Sequence, residues 1–141
     1  MRFENITLSE DLVGRGLAVA TEAHRGQFRR DGVTPYIEHP KAVAELVGAP
    51  IEKAVAALHD TVEDSDITLV ELAKLFPKEV VDAVDALTKR DGEQYRDYIE
   101  RVGQNAIARK VKLADIFVNI SDAPTAKAKA KYFQAFKRLV R

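Results

Sequence analysis

The chain has 141 residues, enough for one domain to bury a hydrophobic core without disulfide bonds. Lysine plus arginine and aspartate plus glutamate both total 22, so no net field would hold the protein on nucleic acid or an anionic membrane. Because cysteine is absent, thiolate zinc sites are excluded, and any metal must be bound by imidazole nitrogen or by oxygen.

Residues 1–141 are predicted to form a single domain, since no repeat, low-complexity tract or flexible linker divides them. The N-terminus becomes acidic where a signal peptide would become apolar, and no apolar run approaches the ~20 residues of a membrane span. We therefore expect a cytoplasmic protein with no membrane partner.

Apolar residues of the first third recur at helical spacing. Ser9 is expected to cap a first helix whose apolar face extends to Ala23. Pro40 suits the first turn of a helix that reaches about Gly48, which leaves His39 at the N-terminal edge of that helix.

The helical pattern continues through the rest of the chain. Pro50 is expected to begin a helix containing His59, Thr68 and Glu71 form a capping-box pattern, and Pro77 opens another helix. Since no stretch alternates at period two, the fold is predicted to be all-α. Further helices are predicted at residues 94–102, 105–120 and 125–140.

The last predicted helix carries an apolar stripe, which we expect to pack in the core rather than to stack on bases. Its lysines and arginines predict a solvated face, because aromatic residues do not interleave with them, and so we expect no nucleic-acid partner. The stripe consists of Ala126, Ala130, Phe133, Phe136 and Val140.

Residues 59–64, His-Asp-Thr-Val-Glu-Asp, are the most informative segment for function. If this segment is helical, Glu63 lies one turn beyond His59, and Asp64 lies one turn beyond Asp60. All four side chains can then border one cleft, in which a metal site is backed by acid/base groups.

A divalent cation needs ligands from several parts of the chain. His39, His59, Asp60 and Asp115 offer two imidazoles and two carboxylates, a set that suits a borderline or hard ion. Mn²⁺ is more natural there than a thiolate-loving metal, and Fe²⁺, Zn²⁺ or Co²⁺ could also occupy the site. A single histidine is more often structural, and His24 is interpreted in that way, as a helix-end residue.

Three motifs in order support the metal site. Residues 29–40, Arg-Arg-Asp-Gly-Val-Thr-Pro-Tyr-Ile-Glu-His-Pro, are followed by Ala-Leu-His-Asp-Thr-Val-Glu-Asp at 57–64 and by Lys-Leu-Ala-Asp at 112–115. Together they resemble the HD-superfamily hydrolase domain of RelA/SpoT homologues and small alarmone hydrolases, whereas a bare His-Asp pair would carry little information.

The resemblance implies a compact multi-helix bundle that hydrolyses guanosine 3′,5′-bispyrophosphate and releases pyrophosphate from the 3′ position. Residue chemistry supports this independently, because Glu63 and Asp64 could orient the water and transfer the proton needed by the departing sugar hydroxyl. The competing interpretation of this pair is an exposed acidic helix end. The metal ligands implied for Mn²⁺ are His39, His59, Asp60 and Asp115.

Basic residues are needed because carboxylates repel a phosphate-rich substrate. Arg29, Arg30 and Lys112 occupy the basic positions of the family, and Asn119 corresponds to its substrate-contacting asparagine. The alternative for the arginines is a solvated surface charge. Tyr36 is expected to brace the metal loop rather than to touch substrate.

The chain departs from the family after Asp115, where Ile116 replaces the usual basic residue. Asp122 places an acid near the expected phosphate or base, which costs binding energy unless it faces away or contacts a guanine edge. The chain is also shorter than typical small alarmone hydrolases, so the wall built by the later helices of the family is expected to be reduced or to be supplied by a second copy in a homo-oligomer.

Two alternatives remain open at this point. The metal site could act on another phosphorylated nucleotide or cofactor, or the domain could sense nucleotides without turnover. Glu63 and Asp64 favour catalysis, because binding alone needs no acid/base pair.

Overall fold

A computed structural model describes residue 3 and residues 11–140, and within these ranges it contains helices and turns but no β-strand. The predicted all-α fold is confirmed. No helix in this part of the chain is both long and apolar enough to cross a membrane. The helices are α1 (Leu12–Ala23), α2 (Glu38–Glu45), α3 (Pro50–Leu58), α4 (Thr61–Asp64), α5 (Leu69–Ala73), α6 (Lys78–Leu87), α7 (Tyr95–Gly103), α8 (Ala106–Asp122) and α9 (Ala126–Leu139).

Helix α3 lies at the centre of the bundle and packs against α1, α2, α6 and α8. Its residues 54–58 form an entirely apolar stretch and are all fully buried. Helix α1 comes especially close to it, because a Cβ atom on Gly16 would lie 3.4 Å from the Cα atom of Ala54. The C-terminal end of this central helix carries the His-Asp pair.

Side-chain caps begin several of the helices. Oδ2 of Asp11 accepts a hydrogen bond from the backbone N–H of Gly14 at 2.9 Å and so caps α1. Ser9, the expected cap, lies outside the described residues. The capping box of Thr68 and Glu71 is confirmed at the start of α5.

The structure corrects two helix boundaries. Helix α2 begins at Glu38, so His39 lies inside its first turn rather than ahead of it. Helix α3 ends at Leu58, and His59 and Asp60 form the turn before α4. The break has a local cause, because the hydroxyl of Thr61 donates to the carbonyl of Leu58 at 2.8 Å, in place of an uninterrupted backbone ladder.

The predicted core stripe of α9 is wrong. Phe133 is 52% exposed and Phe136 is 40% exposed, whereas Ala135 and Leu139 are buried. Helical spacing alone did not distinguish the two faces, since Tyr132, Ala135 and Leu139 also recur at helical spacing. The face that carries Ala135 and Leu139 is the buried one in the packing of α9 on α7 and α8. The rest of the predicted stripe, Ala126, Ala130 and Val140, is exposed as well.

Two connections bring further residues toward the C-terminal end of α3. The α1–α2 connection folds back through a bridge between Phe28 and Pro35. The α6–α7 connection is held by Arg101, whose guanidinium donates to the carbonyl of Thr88 at 2.9 Å and to both carboxylate oxygens of Glu93. Both connections border the site described next.

Candidate metal centre and adjoining cavity

Four side chains converge beneath the turn between α3 and α4. Nε2 of His39 lies 2.8 Å from Oδ1 of Asp115, and Nε2 of His59 lies 3.3 Å from the same oxygen. Oδ2 of Asp60 lies 3.0 Å from Nε2 of His59 and 3.9 Å from Nε2 of His39. The structure therefore brings together all four predicted metal ligands.

The spacing of these atoms suits a shared cation. Two ligand atoms that each lie about 2.1 Å from one ion, at right angles or at the tetrahedral angle, are about 3.0–3.4 Å apart. His39, His59 and Asp115 offer ligand atoms within 4.8 Å of one another, so this buried group can hold a metal ion. The nitrogen and oxygen donors are compatible with several divalent ions.

Hydrogen bonding orients the ring of His59. Its Nδ1 atom lies 2.6 Å from the carbonyl oxygen of Ala56, so Nδ1 must carry the proton and Nε2 can present a lone pair to a metal. Burial favours the neutral ring, but the carboxylates of Asp60 and Asp115 outweigh burial and raise the pKa of His59 well above its usual value. A bound cation would compete with that proton.

Asp115 is surrounded by donors. Burial by itself would raise the pKa of this carboxyl group, but Lys112 and the imidazoles hold it well below the usual value. The ammonium of Lys112 donates to Oδ2 at 2.8 Å, and the amide of Asn119 donates to Oδ1 at 3.2 Å.

The placement of Lys112 differs from the predicted substrate contact. Its side chain is buried, with a relative exposure of 9%, and its ammonium lies 5.3 Å from the ring centroid of Tyr98. Its observed partners are the ring of Tyr98 and Asp115, a candidate metal ligand.

Tyr36 has the bracing position expected from the sequence. Its hydroxyl donates to Oδ2 of Asp60 at 2.6 Å, across the gap between the α1–α2 connection and the α3–α4 turn. Burial and the charge of Asp60 raise the pKa of the phenol, so it remains a donor at physiological pH. The ring also packs against His24, which ends α1 as predicted.

The acid pair lies on α4 at the solvent-facing side of the centre. Oε1 of Glu63 accepts the backbone N–H of Lys89 at 2.6 Å, and loss of hydration raises the pKa of Glu63. Asp64 also reaches solvent, but desolvation by the surrounding protein and the charges of Asp60 and Glu63 raise its pKa to about 6. A carboxyl group with such a pKa can exchange protons near neutrality.

A cavity of about 530 Å³ opens beside the metal centre. Tyr36 and Asn119 line it and also donate to the candidate ligands Asp60 and Asp115, so the cavity adjoins the centre at these two side chains. Its volume lies in the range of small-molecule sites. The other lining residues are Phe28, Arg29, Arg30, Asp31, Thr34, Asp122 and Tyr132.

The predicted substrate contacts Arg29, Arg30 and Asn119 therefore border one cavity. Nη2 of Arg29 lies 2.8 Å from Oδ2 of Asp122, and the guanidinium carbon lies 5.8 Å from the ring centroid of Tyr36. Arg30 is exposed at the rim.

A second cleft at the acid pair contains residues that the sequence motifs do not identify. Glu63 and Asp64 line it, together with the cationic residues Lys89 and Arg90 of the α6–α7 connection. Lys89 and Arg90 belong to none of the three sequence motifs. The hydrogen bond from the backbone N–H of Lys89 to Glu63 joins this connection to the acid pair.

The helical bundle and the buried His, His-Asp and Asp set define an HD-type domain. No protein-family model matches the chain. A probable GTP pyrophosphokinase from Mycobacterium leprae (strain TN) is 39% identical over 122 residues, covering 77% of this chain and 15% of that protein. The bifunctional (p)ppGpp synthase/hydrolase SpoT of Escherichia coli (strain K12) is 38% identical over 105 residues, covering 70% of this chain and 15% of SpoT.

The chain is also similar to a solved structure, that of a metazoan SpoT ortholog that hydrolyses ppGpp and plays a role in starvation responses. Its TM-score is 0.77 at 27% identity, and the match covers 95% of this chain and 86% of that chain. These similarities confirm that the chain is an HD-type domain of the RelA/SpoT hydrolase kind. It spans about 15% of the length of the curated relatives described above.

Proposed function

We propose that this domain hydrolyses guanosine 3′,5′-bis(diphosphate), or (p)ppGpp, and releases pyrophosphate from the 3′ position. The observation that carries the proposal is the convergence of His39, His59, Asp60 and Asp115 beside the acid pair of α4. The same activity is named for a relative from Vibrio cholerae, a guanosine-3′,5′-bis(diphosphate) 3′-pyrophosphohydrolase that is 41% identical over 100 residues.

The four converging residues would hold one divalent cation, for which we propose Mn²⁺ because the ligands combine imidazole nitrogen with carboxylate oxygen. When bound, such a cation supplies Lewis acidity that promotes deprotonation of water and stabilises charge on phosphoryl oxygens. The hydrogen bond from His59 to Ala56 and the enclosure of Asp115 by donors preorganise two of the ligands.

Glu63 and Asp64 would orient the attacking water and transfer its proton to the leaving group. Attack of water on the phosphorus next to the 3′ oxygen breaks the P–O bond, and the sugar oxygen then needs a proton. Asp64 is suited to accept the proton from water and return it to that oxygen, because its pKa is raised to about 6. Glu63, held by the backbone of Lys89, would orient the water.

Arg29, Arg30 and Asn119 are proposed to contact the substrate from the cavity beside the centre. All the groups assigned here come from one chain, so a homo-oligomer is not required for the chemistry. We also propose a cytoplasmic location, because phosphorylated nucleotides are intracellular compounds.

The test is a Mn²⁺ titration with ppGpp in which GDP, pyrophosphate and orthophosphate are separated. We expect Mn²⁺-dependent GDP plus pyrophosphate, lost in His59→Ala and reduced at least about 100-fold in Glu63→Ala. His59→Ala should also lose Mn²⁺ binding, whereas Glu63→Ala should retain it. Release of orthophosphate from other nucleotides would indicate a different substrate. Tight Mn²⁺ and nucleotide binding without any product would indicate a sensing module instead.

A further inference from the structure

The cavity beside the metal centre has a lining that suits a nucleobase. Its cations, Arg29 and Arg30, are balanced by the carboxylates of Asp31 and Asp122, so the lining has no excess positive charge for phosphate. Phe28 and Tyr132 add aromatic surface to the same cavity. Bases stack on such surfaces, whereas phosphates need uncompensated donors.

Asp122 is positioned to read the edge of that base. It lies in the last turn of α8 and is joined to Arg29, 93 residues away in the chain, by a hydrogen bond of 2.8 Å to Oδ2. A carboxylate offers about four lone-pair sites on its two oxygens, so the bond to Arg29 leaves acceptor capacity. The bond to Arg29 thus orients the carboxylate of Asp122 and leaves it able to accept further hydrogen bonds.

We propose that Asp122 selects guanine over adenine, an inference that rests on the proposed function. The Watson–Crick edge of guanine presents N1–H and the 2-amino group as adjacent donors, which match the two oxygens of a carboxylate. Adenine presents the lone pair of its N1 atom at the corresponding place, which a carboxylate repels. The resemblance to RelA/SpoT hydrolase domains does not supply this residue, because Asp122 lies where the chain departs from the family pattern.

The test compares kcat/KM for ppGpp with the values for its adenosine and inosine counterparts, in the wild type and in Asp122→Asn. We expect the wild type to prefer guanosine, then inosine, then adenosine. An asparagine both donates and accepts, which suits the adenine edge, so Asp122→Asn should lower the guanosine-to-adenosine ratio at least about tenfold. Asp122→Glu retains a carboxylate and should retain the order of preference.

Asp82→Asn is the matched control, since Asp82 pairs with Lys78 on the surface of α6 and does not border the cavity. It should leave the ratio unchanged. If Asp122 serves only to orient Arg29, Asp122→Asn will weaken all three substrates equally, and that result would overturn the inference. Circular dichroism of each variant excludes misfolding.

Binding of GDP, IDP and ADP, measured by calorimetry on the same proteins, separates this inference from the proposed function. If no substrate is hydrolysed but GDP binds more tightly than ADP and Asp122→Asn removes the difference, the proposed function fails and the base selection stands. If ppGpp is hydrolysed while the variant keeps the wild-type ratio, the base selection fails alone.

Discussion

The phenol of Tyr36 and the imidazole of His59 approach the same atom, Oδ2 of Asp60, at 2.6 Å and 3.0 Å respectively. Tyr36 therefore fixes a carboxylate oxygen in the position from which it would bind a metal. Because this tyrosine comes from the α1–α2 connection, it also links the first motif of the chain to the second.

Tyr36→Phe removes this hydrogen bond while keeping the ring. We expect Mn²⁺ affinity to fall about 10- to 100-fold, the usual effect of losing a hydrogen bond to a metal ligand. Calorimetric titration with Mn²⁺ measures the affinity of the wild type and of the variant. Tyr98→Phe is the matched control, because its hydroxyl donates to the carbonyl of Leu87 instead. Equal Mn²⁺ affinity in the wild type and Tyr36→Phe would contradict a bracing role.

Lys112→Met leaves the buried carboxylate of Asp115 without its ammonium partner. We expect the metal-free variant to lose about 3 kcal/mol of unfolding free energy, because breaking a buried ion pair exposes the remaining charge to a poorly solvating environment. A bound cation would compensate that charge. Addition of Mn²⁺ should therefore raise the melting temperature more in the variant than in the wild type.

Lys110→Met provides the comparison for this result, since Lys110 pairs with Glu52 at the surface and should contribute less than about 1 kcal/mol. Chemical denaturation with and without Mn²⁺ measures both variants. If Lys112 contacts only substrate, the two lysine variants will be equally stable and only the KM of Lys112→Met will rise.

Asp64→Asn should stabilise the metal-free protein above about pH 6. The folded-state pKa of Asp64 is raised from 3.8 to about 6, so the unfolded chain ionises first as the pH rises. Between pH 3.8 and about pH 6, ionisation of Asp64 therefore lowers the free energy of unfolding. Above about pH 6 this loss of stability is constant. The variant avoids this cost, which we place at about 1 kcal/mol because solvent screens the exposed side chain.

Urea denaturation in the presence of a chelator, repeated between about pH 3.5 and pH 7.5, tests this dependence. The wild type and the variant should coincide at the acidic end and diverge toward neutral pH. A constant difference across the range would show that Asp64 does not titrate as described. The stabilised variant should have lost activity, since the same carboxylate is assigned the proton transfer.

The packing of α9 gives a further prediction. Leu139→Ala should destabilise the protein by about 3 kcal/mol, since Leu139 is almost completely buried. Phe136→Ala should cost less than about 1 kcal/mol, because this ring remains 40% exposed. Thermal or chemical denaturation distinguishes the two. A larger loss for Phe136→Ala would favour the apolar stripe predicted from the sequence.

Local patterns were sufficient for much of the fold. The cap at Thr68 and the proline at position 50 depend on hydrogen bonds and dihedral angles within a few residues, so short sequence windows reveal them. The order of the His, His-Asp and Asp motifs likewise predicted which side chains meet, because the resemblance to a known domain supplies long-range information that spacing lacks.

The tertiary structure decided which of two similar helix faces is buried and which charged residues pair. Both faces of α9 show helical spacing, and only packing on α7 and α8 determines that Leu139 is buried and Phe136 is not. The packing of Lys112 against Tyr98 of α7 and the pairing of Arg29 with Asp122 join residues from different parts of the chain. The sequence by itself determined the all-α class and the candidate ligands, whereas charge pairing and burial, which are sums over distant neighbours, emerged only in three dimensions.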